Sequence, residues 1–293
     1  MLYHLLPPLN DFIAGIGVVR YITFRTAAAS LTALAISLLL GPWFIRRLAD
    51  FQIGQVIRQE GPASHRAKAG TPTMGGLLIL SAVLIPTLLW ADLTNFYIWI
   101  AAGSTAAFGA IGFADDYLKI VRKDHHGLRP RWKMGWTLVA GLGVGLSLLA
   151  LANLEPPLYN TRVIFPFFKW LIPDLGWLYV LFALLVLAGT THAVNLTDGL
   201  DGLAISTFAV SAAAYTALAY VTGHRVLADY LLLVRFPPAG ELTIFCGALV
   251  GASLGFLWWN SYPADIFMGD IGSLGLGGAL GVVALLIKQE FLL

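Results

Sequence analysis

The stretch GLAISTFAVSAAAYTALAYVTGH, residues 202–224, contains no Asp, Glu, Lys or Arg. A hydrocarbon core about 30 Å thick takes roughly 17–25 apolar residues per helix. Lipid offers the backbone no hydrogen-bond partner, so only helices and closed barrels cross it. The stretch lacks the period-2 alternation of a barrel strand and reads as a transmembrane helix. Seven further charge-free windows carry the same signature, at 26–45, 69–91, 93–114, 134–154, 175–197, 242–264 and 271–287. Composition agrees: 58% of the 293 residues are hydrophobic and 12% charged, and the mean hydropathy of +0.78 excludes an ordinary water-soluble domain. The expected fold is an all-α integral membrane protein of about eight transmembrane helices. It forms one polytopic domain over residues 1–293, with residues 1–20 as an N-terminal surface segment.

Pro7, Pro8 and Asp11 in that segment, with no basic n-region, argue against a removable signal peptide. The single cysteine, Cys246, falls inside a window and supports neither a disulfide framework nor a thiolate metal site.

The connections between windows differ in charge. The first carries Arg46, Arg47, Arg58, Arg66 and Lys68, and the third carries Lys119, Arg122, Lys123, Arg129, Arg131 and Lys133. The even connections carry only Arg162, Lys169, Arg225 and Arg235. The positive-inside rule therefore puts the odd connections in the cytoplasm and the N-terminus outside. Asp115 and Asp116, Asp198 and Asp201, and Asp265 and Asp270 all fall at odd connections, so carboxylates and cations converge on one membrane face.

Each group has a plain reading beside a chemical one. Asp115 and Asp116, in GFADDYLKI, mark the end of the third window, where two hydrated carboxylates pointing about 100° apart would serve different partners. The same pair beside a cation-rich loop suits a magnesium-phosphate site, since Mg²⁺ takes oxygen ligands from one or two carboxylates, waters and phosphates. In NLTDGLDGLA, Asp198 and Asp201 have the spacing of a capping box at the start of the next helix. That i, i+3 geometry also suits a polar ligand, with Asn195 and Thr197 adding neutral hydrogen-bonding groups. Asp270, in FMGDIGSLGLGG, could cap the eighth helix, where its anion is electrostatically comfortable and able to bind metal. The glycines after it follow no strand and read as close helix packing, not a dinucleotide fingerprint. Lys68, Thr71 and Thr73 form a candidate phosphate cradle, though basic residues beside a membrane also attract anionic lipid. His125, His126 and His192 lack metal-type spacing and read as solvated or interfacial. Together these groups suit a reaction in which phosphates meet Mg²⁺ at the inner membrane face.

TPTMGG at 71–76, FADDY at 113–117, NLTDGLDGLA at 195–204 and FMGDIGSLGLGG at 267–278 stand in the order found in the bacterial phospho-N-acetylmuramoyl-pentapeptide transferases. The chain resembles this family, one of the polyprenyl-phosphate N-acetylhexosamine-1-phosphate transferases, from about residue 20 onward. The resemblance implies a ten-helix fold in the bacterial inner (plasma) membrane with a periplasmic N-terminus and a cytoplasmic active site. It implies transfer of phospho-MurNAc-pentapeptide from UDP-MurNAc-pentapeptide to undecaprenyl phosphate, giving lipid I and UMP in peptidoglycan synthesis. By motif, Asp115, Asp116 and Asp270 take the catalytic positions, with Asp270 as the Mg²⁺ ligand. Asn195, Asp198 and Asp201 match the nucleoside-sugar site, Lys68 and Thr73 the phosphate-proximal groups, and Asn260 and Phe267 the uridine-side wall. The family pattern continues through two more spans and a histidine-rich loop past KQEFLL at 288–293, so the last two family helices are expected to be missing. Membrane lipid is an expected partner, nucleic acid is not, and a homodimer is left open.

The expected chemistry is a single displacement in which Asp115 deprotonates or orients the lipid phosphate for attack on the β-phosphorus; a two-step route through an aspartyl-phosphate is the alternative. A GlcNAc-1-phosphate transferase of the same superfamily is the nearest rival, separated by the choice of donor. An ion-coupled transporter is a rival of another class, but its carboxylates would sit near the bilayer midplane among broken, repeated helices. A non-catalytic scaffold would lose nothing when Asp115 or Asp270 becomes Asn.

Overall fold

The computed structural model describes residues 1–6, 15–51, 71–122, 127–165, 168 and 170–293. Eight main helices correspond one to one with the eight windows. They are α1 (Ile22–Asp50), α2 (Gly76–Trp90), α3 (Phe96–Arg122), α4 (Pro130–Ala152), α5 (Tyr179–Thr197), α6 (Leu203–Gly223), α7 (Leu242–Asn260) and α8 (Gly269–Leu286). Among the described residues seven helices are long and apolar enough to cross a membrane, so the protein is an all-helical, multi-pass membrane protein.

The exception is α2. Its window suggests a full span from residue 69, yet the helix starts at Gly76 and has 15 residues, about 22 Å of rise. Pro72 disfavours helix at the residue before it, and Met74 takes a positive φ of 72°. Residues 71–75 instead pair with the segment before α8. The Phe267 amide donates to the Pro72 carbonyl at 2.9 Å, Gly75 to Phe267 at 2.9 Å and Gly76 to Met268 at 2.8 Å. The TPTMGG and FMGD motifs are thereby laid side by side.

Three helices, α1, α3 and α4, overrun their windows and carry charges that are satisfied inside the protein, Lys133 of α4 pairing with Asp270. Helix α1 contains Arg25, only 2% exposed, whose guanidinium makes a two-pronged bond to Glu241 at 2.8 and 2.6 Å. The backbone amide of Asp92 donates to the same carboxylate at 3.0 Å, and Tyr3 lies across the guanidinium. Helix α3 continues beyond residue 114 to Arg122, so Asp115 and Asp116 are helical and buried. The expectation of hydrated carboxylates at a helix exit is corrected: neighbouring helices cover them.

Helices α7 and α8 form the centre. Helix α7 packs on α1, α2 and α6, and α8 packs on α2, α3 and α5. Every α8 residue from Ile271 to Leu286 is buried. Helix association in lipid depends on close packing, which small residues permit. The glycine run of α8 serves this purpose, with Gly272 against the Gly76 backbone and Gly277 against the backbone of Thr190 and Thr191.

Beyond the far end of α8, Lys288 is buried over the rings of Tyr159 and Tyr179, at 4.0 and 3.9 Å from their centres. The Tyr179 hydroxyl donates to Glu290 at 2.6 Å. This cluster stands at the opposite end of the helix from Asp270.

Candidate active site

Among the described residues, the third, fifth and seventh connections and their flanking helix ends meet at one end of the bundle. Asp115 and Asp116 come from the C-terminal end of α3, and Asp270 from the first turn of α8. One oxygen from each of the three carboxylates lies within 4.8 Å of the others. The close approach of α3 and α8 makes this cluster, and Gly112 permits it: a Cβ there would collide with the Asp270 carbonyl and lie 2.6 Å from the Ile271 Cα. Adjacent positions on a helix do point apart, yet Asp115 and Asp116 share partners because α8 crosses between their directions.

Each carboxylate is held by specific donors. Asp115 Oδ1 accepts from the Leu128 amide at 2.7 Å, and Asp116 Oδ2 from the Ile271 amide at 3.2 Å. Asp270 Oδ1 accepts from the Asn195 amide at 2.6 Å, and that same amide nitrogen reaches Ser273 Oγ at 2.8 Å. The Lys119 ammonium lies 2.6 Å from Asp115, 2.6 Å from Asp270 and 3.4 Å from Asp116. The Lys133 ammonium is 2.8 Å from Asp270, 3.5 Å from Asn195 Oδ1 and 3.9 Å from Asp115. Three clustered carboxylates are a hard-oxygen donor set that could hold a divalent cation.

Asp198 and Asp201 do not start a helix. Asp198 ends α5 as its C-cap with ψ 61°, and α6 begins after Gly202, at φ 73°, without a side-chain cap. The left-handed turn at Gly202 separates the pair from the helix they were expected to cap. Asp198 is half-buried beside the site, and burial first, then the Asp270 charge, pushes its carboxyl up to about 7. Asp201 accepts from the Ala264 amide at 3.3 Å. Asn260 is buried and spans two backbones, accepting from Gly202 N at 3.1 Å and donating to the Ile266 carbonyl at 2.8 Å. It therefore fixes the connection between α5 and α6 against the one before α8. Phe267 is half-buried in the strip paired with residues 72–76. Thr73 flanks Gly269, where an added Cβ would meet its hydroxyl at 3.1 Å and Asp116 at 2.5 Å. Asp270 lies inside the first turn of α8 and points into the cluster; Met268 occupies the cap position. Lys68, His125 and His126 lie outside the described residues. His192 is half-buried on α5, and its Nε2 has no hydrogen-bond partner among the described residues.

Sequence reasoning treated Lys119 and Lys133 as members of basic loops and passed over Ser273. A signal for Lys119 was present: on a continuous α3 it stands four residues after Asp115 and three after Asp116, the spacings that bring side chains together.

Comparison with known proteins settles the kinship. The family model described as glycosyl transferase family 4 matches residues 98–288, and the phospho-N-acetylmuramoyl-pentapeptide-transferase signature 1 matches residues 68–80. A phospho-N-acetylmuramoyl-pentapeptide-transferase from Desulfatibacillum aliphaticivorans is 58% identical across the whole of this chain and 80% of its own length. The chain belongs to the phospho-N-acetylmuramoyl-pentapeptide-transferase family. Relatives of the same name from Koribacter versatilis and Pelobacter propionicus are 54% and 53% identical, over 94% and 100% of this chain and 76% and 80% of their own lengths. The transferase signature ends within α2, and its TPTMGG portion is the strip that pairs with Phe267 and Met268. Family membership thus coincides with the segments that assemble the carboxylate cluster.

Proposed function

We propose that this protein transfers phospho-MurNAc-pentapeptide from UDP-MurNAc-pentapeptide to undecaprenyl phosphate, giving lipid I and UMP, at the cytoplasmic face of the bacterial inner membrane. The observation that carries the reading is the convergence of Asp115, Asp116 and Asp270 with Lys119 and Lys133 at one end of a membrane bundle. Both substrates are phosphate anions, one from water and one from lipid, so the site must bind negative charge where spans meet water. Paired carboxylates and ammonium groups do this where carboxylates alone would repel both substrates.

The acceptor phosphate oxygen attacks the β-phosphorus, the bond from that phosphorus to the bridging oxygen breaks, and UMP carries the released charge. Asp115 orients the acceptor or takes its proton, being fixed by Leu128 on one oxygen and Lys119 on the other. Asn195 holds Asp270 in place, Asp198 stands beside it, and Asp201 follows on the same connection, which would take the nucleotide-sugar. A Mg²⁺ held by Asp270 with its neighbouring carboxylates would offset the charge growing on the diphosphate. Lys119 and Lys133, both paired with Asp270, add positive charge where the substrate phosphates would arrive.

The test is UMP release in detergent with UDP-MurNAc-pentapeptide or UDP-GlcNAc as donor, undecaprenyl phosphate as acceptor, and Mg²⁺ present or chelated. Magnesium-dependent release from the muramoyl donor alone is expected. Preference for UDP-GlcNAc would transfer the protein to the sister activity.

A further inference from the structure

The two lysines of the site hold a position that phosphate binding alone does not explain. Lys119 Nζ is 2.6 Å from an oxygen of Asp115, 2.6 Å from one of Asp270 and 3.4 Å from one of Asp116. It is thus centred among the same three carboxylates that form the divalent-cation donor set. Lys133 supports it from the Asp270 side at 2.8 Å. Two ammonium groups therefore face three carboxylates, and the cations offset the charge these acids carry whenever they are ionised. An ammonium centred there and a divalent cation cannot share the space, because both need the same oxygens at contact distance and repel each other.

We infer that Lys119 is a tethered counter-ion for the metal site: it holds the three carboxylates together in the resting protein and is expelled toward the substrate phosphates when the divalent cation binds. Lys133 is its partner and stays on Asp270. Side-chain exposure separates the roles, 32% for Lys119 against 16% for Lys133. Lys119 is the more exposed and has a flexible stem, whereas Lys133 is also tied to Asn195. The exchange does two things. It keeps Asp115, Asp116 and Asp270 from repelling one another and forcing α3 from α8 before metal arrives. It also delivers a cation to the diphosphate only in the metal-loaded site, so the phosphate-binding charge appears when the reaction can proceed. The inference rests on the transferase reading of the same site, and it gives Lys119 opposite effects on metal affinity and turnover.

The experiment is a titration of the purified protein with Mn²⁺, without substrates, following free Mn²⁺ by electron paramagnetic resonance. Lys119→Met is compared with wild type and with Arg122→Met, which removes an exposed cation from the same helix but not from the cluster. The expected result is Mn²⁺ bound at least tenfold more tightly by Lys119→Met, less than twofold change in Arg122→Met, and turnover of Lys119→Met reduced at least tenfold at saturating Mg²⁺. General electrostatics would move both variants alike, and a merely structural lysine would weaken metal binding when removed. Because Lys119→Met leaves three carboxylates short of a counter-ion, the unmodified protein gives a second readout. Reductive methylation followed by mass spectrometry should label Lys119 several-fold faster with Mg²⁺ than without it. Equal Mn²⁺ affinity in Lys119→Met and Arg122→Met, or labelling of Lys119 that Mg²⁺ leaves unchanged or slows, overturns the exchange. Wild-type UMP release is scored separately: its absence with the exchange intact would refute the transferase reading and leave the counter-ion role standing.

Discussion

Gly112→Ala isolates the helix contact that assembles the site. The added Cβ would lie 2.6 Å from the Ile271 Cα and closer still to the Asp270 carbonyl. Ordinary carbon contacts are about 3.5–4.0 Å, so α3 and α8 must part by about 1 Å at this level. Overpacking of this kind costs about 1–3 kcal/mol, against a gain of up to about 1 kcal/mol in helix propensity. The net loss of stability should therefore be about 0–3 kcal/mol, and the protein should fold. Activity should suffer more, because the displacement falls on Asp270 relative to Asp115 and Asp116. A misplacement of about 1 Å costs on the order of 100-fold in rate, equivalent to about 2.7 kcal/mol of barrier. The control is Gly103→Ala on the same helix, where an added Cβ meets nothing within 4 Å. The assay pairs thermal unfolding in detergent with UMP-release kinetics. Gly112→Ala is expected to keep most of its stability and lose about 100-fold in kcat/KM, with Gly103→Ala unchanged in both. Full activity in Gly112→Ala would refute the claim that this contact sets the carboxylate geometry.

Three further outcomes follow from the same structure. The Asp198 carboxyl is pushed from its ordinary 3.8 up to about 7, so its stabilising contribution is fully present below about pH 4 and is lost as pH rises through 7; Asp198→Asn should flatten the fall in melting temperature across that window, and an unchanged profile would count against its burial. Arg25→Met leaves the Glu241 carboxylate enclosed with only the Asp92 amide, which should cost about 3–5 kcal/mol; the double variant with Glu241→Gln should recover most of it in thermal unfolding, and purely additive losses would refute coupling. Asn260→Ala strands the Gly202 amide and the Ile266 carbonyl, costing about 1–3 kcal/mol for each group left buried; a melting temperature equal to wild type would contradict its bracing role.

The membrane architecture was legible because a spanning segment must be long and apolar. All eight windows became helices, and the alternation of spans put the acidic third, fifth and seventh connections at one end. What misled was using charge to mark helix ends. Windows beginning at 26 and 242 stop one residue short of Arg25 and Glu241, which neutralise each other inside the fold. A window ending at 114 hid the continuation of α3, and with it the spacing that puts Lys119 beside Asp115 and Asp116. The capping-box reading of Asp198 and Asp201 failed because the left-handed turn at Gly202 starts α6 later. The shortness of α2 was hidden for a different reason, since residues 71–75 pair with a segment nearly two hundred positions away. Such pairing leaves no local hydrophobic pattern. Motif identity found the three carboxylates; the fold shows that a lysine sits among them.

The most direct measurement uses UDP-MurNAc-pentapeptide labelled with ³²P at the β-phosphate, mixed with undecaprenyl phosphate, Mg²⁺ and the purified protein, and followed by organic extraction. The account predicts that the label moves into the lipid fraction while the released UMP stays unlabelled, and that Asp270→Asn abolishes the transfer. Label retained in the aqueous nucleotide, or equal transfer by Asp270→Asn, would contradict the claim that these three carboxylates carry out phospho-sugar transfer.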